Sequence, residues 1–381
     1  MTRVLILGGA GVFGGRLARI LAKDARFDLI IAGRDLARAQ AFAASLDGPP
    51  RVSALRIDAA AIGSALKECE PDLIVHCAGP FQGQDYAVAK AAIAARIPYA
   101  DLSDGRAFSQ GFAALDAPAK QAGVFALTAC STTSALSAAA AIHLARDMRQ
   151  VHRVRVGVTP GNRAPRGRAV VEAIISYVGE PIPAWREGRE TYVRGWGTLT
   201  REDLPGLGGR WFSPCDAPDI IAMRELFPAA NDIEFLAGLE LSIMHLPLWA
   251  LAKLRATGLT PNLAPAAALF HQAAKLFEPF GSDQGGMFVE IAGTGADGGD
   301  LARRWTIWAG SGDGPYIPAI AAAAIARRVA DGAPPAPGAR IAAGDVTLEE
   351  FEPEFVAFNI RTQIEDYDNG NHVSEIARRP V

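Results

Sequence analysis

The feature that most restricts this chain is its opening run, MTRVLILGGAGVFGGRLARIL. An apolar stretch, Val4 to Leu7, meets five glycines within eight residues, and a helical pattern then resumes with Leu17, Ile20 and Leu21. Glycine inside a regular element lowers its stability, so a cluster at a strand-to-helix junction needs a reason. One reason is a phosphate, which can approach backbone N–H groups at a helix start only where side chains are missing.

The context supports that reading. From Arg3 to about Ser131, short apolar runs alternate with segments of helical period: VLIL, FDLIIAGR, RVSALRID, PDLIVHCAGPF, PYADLSD and VFALTAC are six expected strands, each followed by a helix. This alternation predicts a doubly wound parallel sheet, with its ligand crevice at the carboxyl ends of the strands. Gly9-x-Gly11-x-x-Gly14 then fits the dinucleotide fingerprint between strand one and helix one. Gly9 is expected to make the tight turn, Gly11 to admit the pyrophosphate, and Gly14 to let helix and strand pack closely. Ala10 lies within the loop, and the N–H groups near Val12 and Phe13 are expected to face the anion. A glycine-rich turn without a ligand is the alternative.

The end of strand two predicts the type of dinucleotide. An NAD site wants a carboxylate about 20 residues past the glycines, whereas IIAGRD places Gly33 and Arg34 there. Arg34 can bond a 2′-phosphate and Arg38 can add a second cation, while Asp35 is expected to cap the next helix. NADP(H) is therefore preferred, with NAD(H) possible; a solvated surface arginine is the plain alternative. Asp58 ends strand three, either as an acceptor for the adenine amino group or as a turn residue. Ala78, Gly79 and Pro80 end strand four, where backbone is expected to line the cofactor. Asp101, Ser103 and Asp104 follow strand five on the rim, and two near carboxylates there could raise one pKa and supply a catalytic acid. Ser131 or Thr132, after strand six, reads best as a helix cap.

Beyond about Arg149 the grammar changes to alternating strands, a Gly/Pro/Trp/Arg-rich stretch at 181–219, and a hairpin across 287–309. The expected organisation is a Rossmann domain at 1–130, an α+β substrate and dimerisation domain with a mainly antiparallel sheet at 131–365, and a tail at 366–381. The helix near 316–331 is expected to pack back on the first domain. Phe288, Trp305, Ile307 and Trp308 offer more aromatic surface than a small domain covers, which predicts a homodimer through that sheet. Ser282 and Asp283 among glycines suit a ligand loop or a plain turn; Arg303 or Arg304 suits a carboxylate clamp; Tyr316 suits a proton donor or a helix anchor. The isolated His76, His143 and His152 read as structural, and His245 and His271 most simply so too, although those two could face the cleft.

Composition excludes several classes. A formal net charge of −3 with scattered arginines carries no footprint for nucleic acid. The four cysteines have no metal-ligand spacing, no other metal motif occurs, and they read as reduced thiols of a cytoplasmic protein. No transmembrane segment is expected: the apolar stretch at 241–252 is interrupted by His245 and Pro247, and a buried or interfacial helix is favoured over peripheral membrane contact. No hydrolytic constellation is present.

The motifs GGAGVFGG, AGRD, CAGPF, YADLSDG, GSDQGGM and GPYIPAIAAAAIARRVADG together resemble the saccharopine dehydrogenase-like oxidoreductases. The resemblance spans nearly the whole chain and is most specific in the N-terminal half. It implies an N-terminal NADP-binding Rossmann domain, a substrate domain that often forms dimers, and a family mixed in substrate. The expected function is NADP-dependent hydride transfer to or from a small organic substrate in the interdomain cleft, with Asp104, Asp101 and Tyr316 as candidate catalytic groups. A catalytically silent dinucleotide-binding protein, a redox sensor or assembly partner, is the other reading. Substrate and reaction direction are not written in the sequence.

Overall fold

The computed structural model describes residues 1–48, 51–58, 62–164, 168–258, 267–368 and 371–372. Strand and helix alternate from the start: β1 (Thr2–Leu7), α1 (Val12–Leu21), β2 (Phe27–Gly33), α2 (Leu36–Ala44), β3 (Arg51–Arg56), α3 (Ile62–Cys69), β4 (Leu73–His76), α4 (Ala87–Ala94), β5 (Tyr99–Asp101), α5 (Arg106–Gly111), α6 (Asp116–Ala122) and β6 (Phe125–Thr128). There follow α7 (Ala135–Leu144), β7 (Met148–Thr159), α8 (Arg168–Tyr177), β8 (Pro181–Arg186), β9 (Arg189–Arg194), β10 (Thr200–Leu204) and β11 (Gly208–Pro214). Next come α9 (Asp219–Leu226), β12 (Asp232–Leu239), α10 (Ser242–Ala256), α11 (Ala267–Leu276), β13 (Gly285–Gly295) and β14 (Asp300–Ala309). The chain ends with α12 (Ile317–Ala330), β15 (Gly338–Ile341), α13 (Leu348–Ala357), β16 (Ile360–Asp368) and β17 (Asn371–His372).

Two compact units form, one from Met1–Leu136 with Pro315–Val346, the other from Ser137–Gly314 with Thr347–Val381. The first holds a parallel sheet in the order β15-β6-β5-β4-β1-β2-β3. Val4, Leu5 and Ile6 are fully buried in its middle, because helices cover both faces and leave no polar side to alternate with. Six strands are expected from the sequence; the seventh, β15, lies at 338–341, within the stretch assigned to the second domain, and adds to β6. α12 packs along α1, and its alanine-rich face, buried from Ile317 to Ala326 apart from Pro318, lets the two helices come close.

The second unit holds a mixed, mostly antiparallel sheet in the order β10-β11-β12-β7-β13-β14-β16-β17, with the β8–β9 hairpin joined to β12. Among the described strands of this sheet, only the β7–β12 pairing is parallel. The sheet coils so far that Glu202 on β10 pairs with Arg304 on β14 and, at 2.7 Å, with Arg155 on β7. Glu234 and Glu290 complete this ion network around Arg155, and Arg304 lies 4.3 Å from the Phe288 ring centre. Phe288 in turn packs against Phe212 and occupies the space where Gly157 has no side chain. The aromatic surplus read from the sequence is therefore mostly internal: Phe288, Trp305 and Ile307 are buried within the chain, and only Trp308 is partly exposed.

α10 buries His245, Leu248 and Ala252 and exposes Ile243, Leu246 and Leu254. No helix among the described residues is long and apolar enough to cross a membrane. β16 runs to Asp368, so the segment read as a tail from 366 begins inside a strand, and 373–381 lie outside the described residues.

Candidate functional site

The carboxyl ends of five parallel strands form one continuous rim, because the ladder bonds continue into the loops. Gly8 N donates to Ala32 O at 2.7 Å, Cys77 N to Leu7 O at 2.8 Å, Leu102 N to His76 O at 3.2 Å, and Cys130 N to Asp101 O at 2.8 Å. The glycine turn sits in the middle of this rim. Gly8 takes φ +82°, and a Cβ there would lie 2.9 Å from Ala78 N. A Cβ on Gly14 would collide with the Gly8 carbonyl, so α1 can start this close to the turn only with glycine at 14. The tight turn assigned to Gly9 thus belongs to Gly8, which the three-glycine spacing did not single out; the Gly8-Gly9 doublet at the strand end was its only signal. Gly9 instead packs against Ile6 and Ile31. Gly11 precedes α1 in extended backbone, and no side chain caps the helix, so N–H groups of its first turn are left for an anion.

On the β2 side, Gly33 has open space around it and Arg34 is exposed. Asp35 caps α2 by accepting from Arg38 N at 3.0 Å, as the sequence suggested. The Arg38 guanidinium reaches back to Ala10 O at 3.0 Å. Ile57 N donates to Gly33 O at 3.0 Å, which brings the exposed Asp58 beside this corner. Gly9, Ala10, Gly11, Val12, Phe13, Gly14, Gly33, Arg34 and Asp58 are therefore neighbours on one edge of the rim. Ala78 backs onto Gly8, followed by a cis Gly79–Pro80 peptide, and Gln84 Nε2 donates to Ala78 O at 2.9 Å and Pro80 O at 2.5 Å.

The paired carboxylates expected after β5 do not form. Asp101 is wholly buried and accepts from Tyr99 Oη at 3.0 Å, Ser103 N at 2.9 Å, Thr128 Oγ1 at 2.8 Å and Ala129 N at 3.0 Å. Burial pushes its carboxyl up to about 6 against these donors, and Asp104 has no part in the shift. Tyr99 Oη also meets His76 Nδ1 at 3.1 Å, and burial lowers His76 to about 4. Asp101 thus locks β5 to β6 and holds Ala129 at φ +55°. Ser103 is buried as well, while Asp104 is exposed and accepts from Gln82 Nε2 at 3.1 Å. The carboxyl group itself is set among protein atoms, and this desolvation raises its pKa against the Gln82 hydrogen bond. Beyond β6, the start of α7 is met by Ser131 O, which accepts from Leu136 N at 3.2 Å, and the Thr132 and Ser134 hydroxyls have no hydrogen-bond partner. Tyr316 stands just before α12, with the Arg16 guanidinium 5.3 Å from its ring centre, so it faces α1.

In the second unit, the Ser282 loop is bound by its own framework. Glu240 accepts from Ser282 Oγ at 2.6 Å and Asn162 N at 2.6 Å, with Arg210 at 3.7 Å; burial pushes its carboxyl up, but these contacts outweigh it and leave the carboxyl below the usual range. Arg303 pairs with Asp147 and Asp366, and Arg304 with Glu202 and Glu290, so both suggested clamps already hold carboxylates of their own unit. His245 accepts from Leu239 N through Nδ1 and bonds Ser213 Oγ through Nε2 at 2.9 Å. His152 meets Thr294 Oγ1 at 2.9 Å and His143 lies 3.6 Å from Glu349. The His271 side chain lies outside the described residues.

Residues 4–127 match the family described as the saccharopine dehydrogenase NADP binding domain. No curated protein matches the sequence. Among solved structures, the chain is similar to apo saccharopine dehydrogenase (L-Glu forming) from Saccharomyces cerevisiae, with a TM-score of 0.67 and 14% identity, covering 97% of this chain and 100% of that one. A meso-dapdh mutant with DAP from Clostridium tetani matches with a TM-score of 0.45 and 13% identity over 94% and 99% of the two chains. Amine dehydrogenase from Mycobacterium smegmatis gives 0.44 and 12% over 90% and 95%.

Proposed function

We infer that this chain, whose residues 4–127 match the saccharopine dehydrogenase NADP binding domain, is an oxidoreductase of that kind and uses NADP(H) to move hydride to or from a small organic substrate. The observation that carries this reading is the β2 end: Arg34 and Arg38 stand where an NAD site has a carboxylate, and Asp35 is turned into the α2 cap. The Gly8–Gly14 turn fits the dinucleotide because each close approach there is one that a side chain would block. When bound, the nicotinamide gives or takes the hydride, and the chain's own residues position it. The first turn of α1 holds the diphosphate, Gly33 leaves room for the ribose, and the Ala78–Pro80 backbone borders the remainder.

We assign acid–base work to Asp104, whose raised carboxyl lies on the rim after β5, and a positioning role to Asp101, which orders that rim from below. Asp104→Asn is expected to slow turnover and leave cofactor affinity unchanged. Assembly as a homodimer and a reducing, cytoplasmic setting belong to the same reading; the second is supported by four cysteines that form no disulfide.

The deciding experiment is titration of NADPH and NADH into wild type and Arg34→Ala. A charge-assisted bond is worth about 1.5–3 kcal/mol, so NADPH affinity should fall roughly ten- to hundredfold while NADH changes little. Equal weakening of both cofactors would assign Arg34 to the fold and not to the phosphate.

A further inference from the structure

One cation near the glycine turn, Arg16, has no carboxylate partner among the described residues. Arg16 sits one turn into α1, and its Nη1 donates to Val12 O at 2.6 Å, which folds the guanidinium back toward the helix start. The Tyr316 ring centre lies 5.3 Å from its Cζ, and its Nε is buried with no hydrogen-bond partner. Burial lowers the guanidinium's pKa; only the Tyr316 hydroxyl opposes this, and Arg19 adds to it. No carboxylate among the described residues takes part. Arg16 is half-buried, and a cation that gives up part of its water without gaining an anion costs the fold some stability. The partial positive charge of the α1 N-terminus, on the same turn, makes the position harder still for a cation. Both demands are met by an anion at the start of α1.

Resting on the NADP(H) reading above, we propose that Arg16 binds the diphosphate of the dinucleotide and that Tyr316 is the platform that orients it. The basic residues of the first unit then divide their work. Arg34 and Arg38 stand at the β2 end and answer the 2′-phosphate, which only NADP(H) carries. Arg16 stands at α1 and answers the diphosphate, which both dinucleotides carry. Tyr316 acts through Arg16 and is a positioning residue, not the proton donor its sequence context suggested.

The test is titration of NADPH and NADH into full-length wild type, Arg16→Met, Tyr316→Phe and Tyr316→Leu, with thermal melts of each protein without cofactor. Arg16→Met should weaken both dinucleotides alike, by tenfold or more, and the cofactor-free protein should melt at the same or a higher temperature. Tyr316→Phe keeps the ring and should bind within about twofold of wild type, whereas Tyr316→Leu should lose several-fold for both. Unchanged binding by Arg16→Met, a loss confined to NADPH, or a lowered melting temperature would overturn the assignment. Wild type that binds neither dinucleotide would instead remove the NADP(H) reading, and this inference with it.

Discussion

Arg38 Nη2 donates to the carbonyl of Ala10 across 3.0 Å, so a side chain from the first turn of α2 is fastened to the glycine turn after β1. The contact does two things: it fixes the turn and it brings a second cation to the corner shared with Arg34. Arg38→Gln should therefore weaken both dinucleotides somewhat and NADPH more. Because Arg38 is exposed, the NADPH-specific part should shrink between 50 and 500 mM salt, roughly as the Debye length falls below 10 Å. Salt-independent loss, measured by fluorescence titration, would leave the carbonyl contact as its whole role.

Gly14 has no room for even a methyl group, since its Cβ would strike the Gly8 carbonyl. Gly14→Ala must push α1 away from the turn, at a cost of about 1–3 kcal/mol. On the proposed reading, in which the displaced N–H groups meet the diphosphate, cofactor affinity should fall more than tenfold. Gly33→Ala, with open space around it, is the control and should unfold at the wild-type urea concentration.

Asp101 and His76 should pull the first unit's stability in opposite directions with pH. The Asp101 carboxyl, raised by burial from 3.8 to about 6, holds its proton more tightly when folded. Its contribution is complete below pH 4 and is lost as pH rises through 6, by about 3 kcal/mol. His76, lowered by burial from 6.5 to about 4, contributes fully above 6.5 and loses that contribution on acidification. Asp101→Asn removes the first effect, so its stability should fall more steeply than wild type between pH 6 and 4. Urea titrations followed by far-UV circular dichroism measure this; parallel profiles would mean that Asp101 does not titrate there.

His245 offers the same measurement in the second unit, where all six tryptophans lie. Its ring is 5.0 Å from Trp196, and burial lowers it to about 4. Its contribution is present above pH 6.5 and lost as pH falls toward 4, about 3 kcal/mol in all. His245→Gln should flatten the acid side of the tryptophan-fluorescence unfolding profile and lower stability at pH 7.5, since Leu239 N and Ser213 Oγ lose a well-placed partner. An acid limb as steep as wild type would place the acid sensitivity elsewhere in the unit.

What the sequence determined alone was whatever depends on neighbours along the chain. Strand-to-helix alternation, the glycine turn, the missing carboxylate after β2 and the Asp35 cap all act within a few residues, and each could be read from residue type and spacing. The β13–β14 hairpin was legible for the same reason. Tertiary structure decided what depends on residues far apart in the chain. β15 joins β6 across more than two hundred residues, and nothing in Gly338–Ile341 itself announces a sheet partner. Asp101 and Asp104 look equivalent in YADLSDG, yet one is sealed among donors from Tyr99, Thr128 and Ala129 and the other reaches solvent. Arg304 looked free for a substrate until the coiling of the second sheet brought Glu202 to it. By type and spacing Arg16 is one more helical arginine; only the fold sets Tyr316, and no acid among the described residues, beside it. Local order follows from short-range sterics and hydrogen bonding, but the value of a charge is set by whatever the folded chain brings within a few ångströms of it.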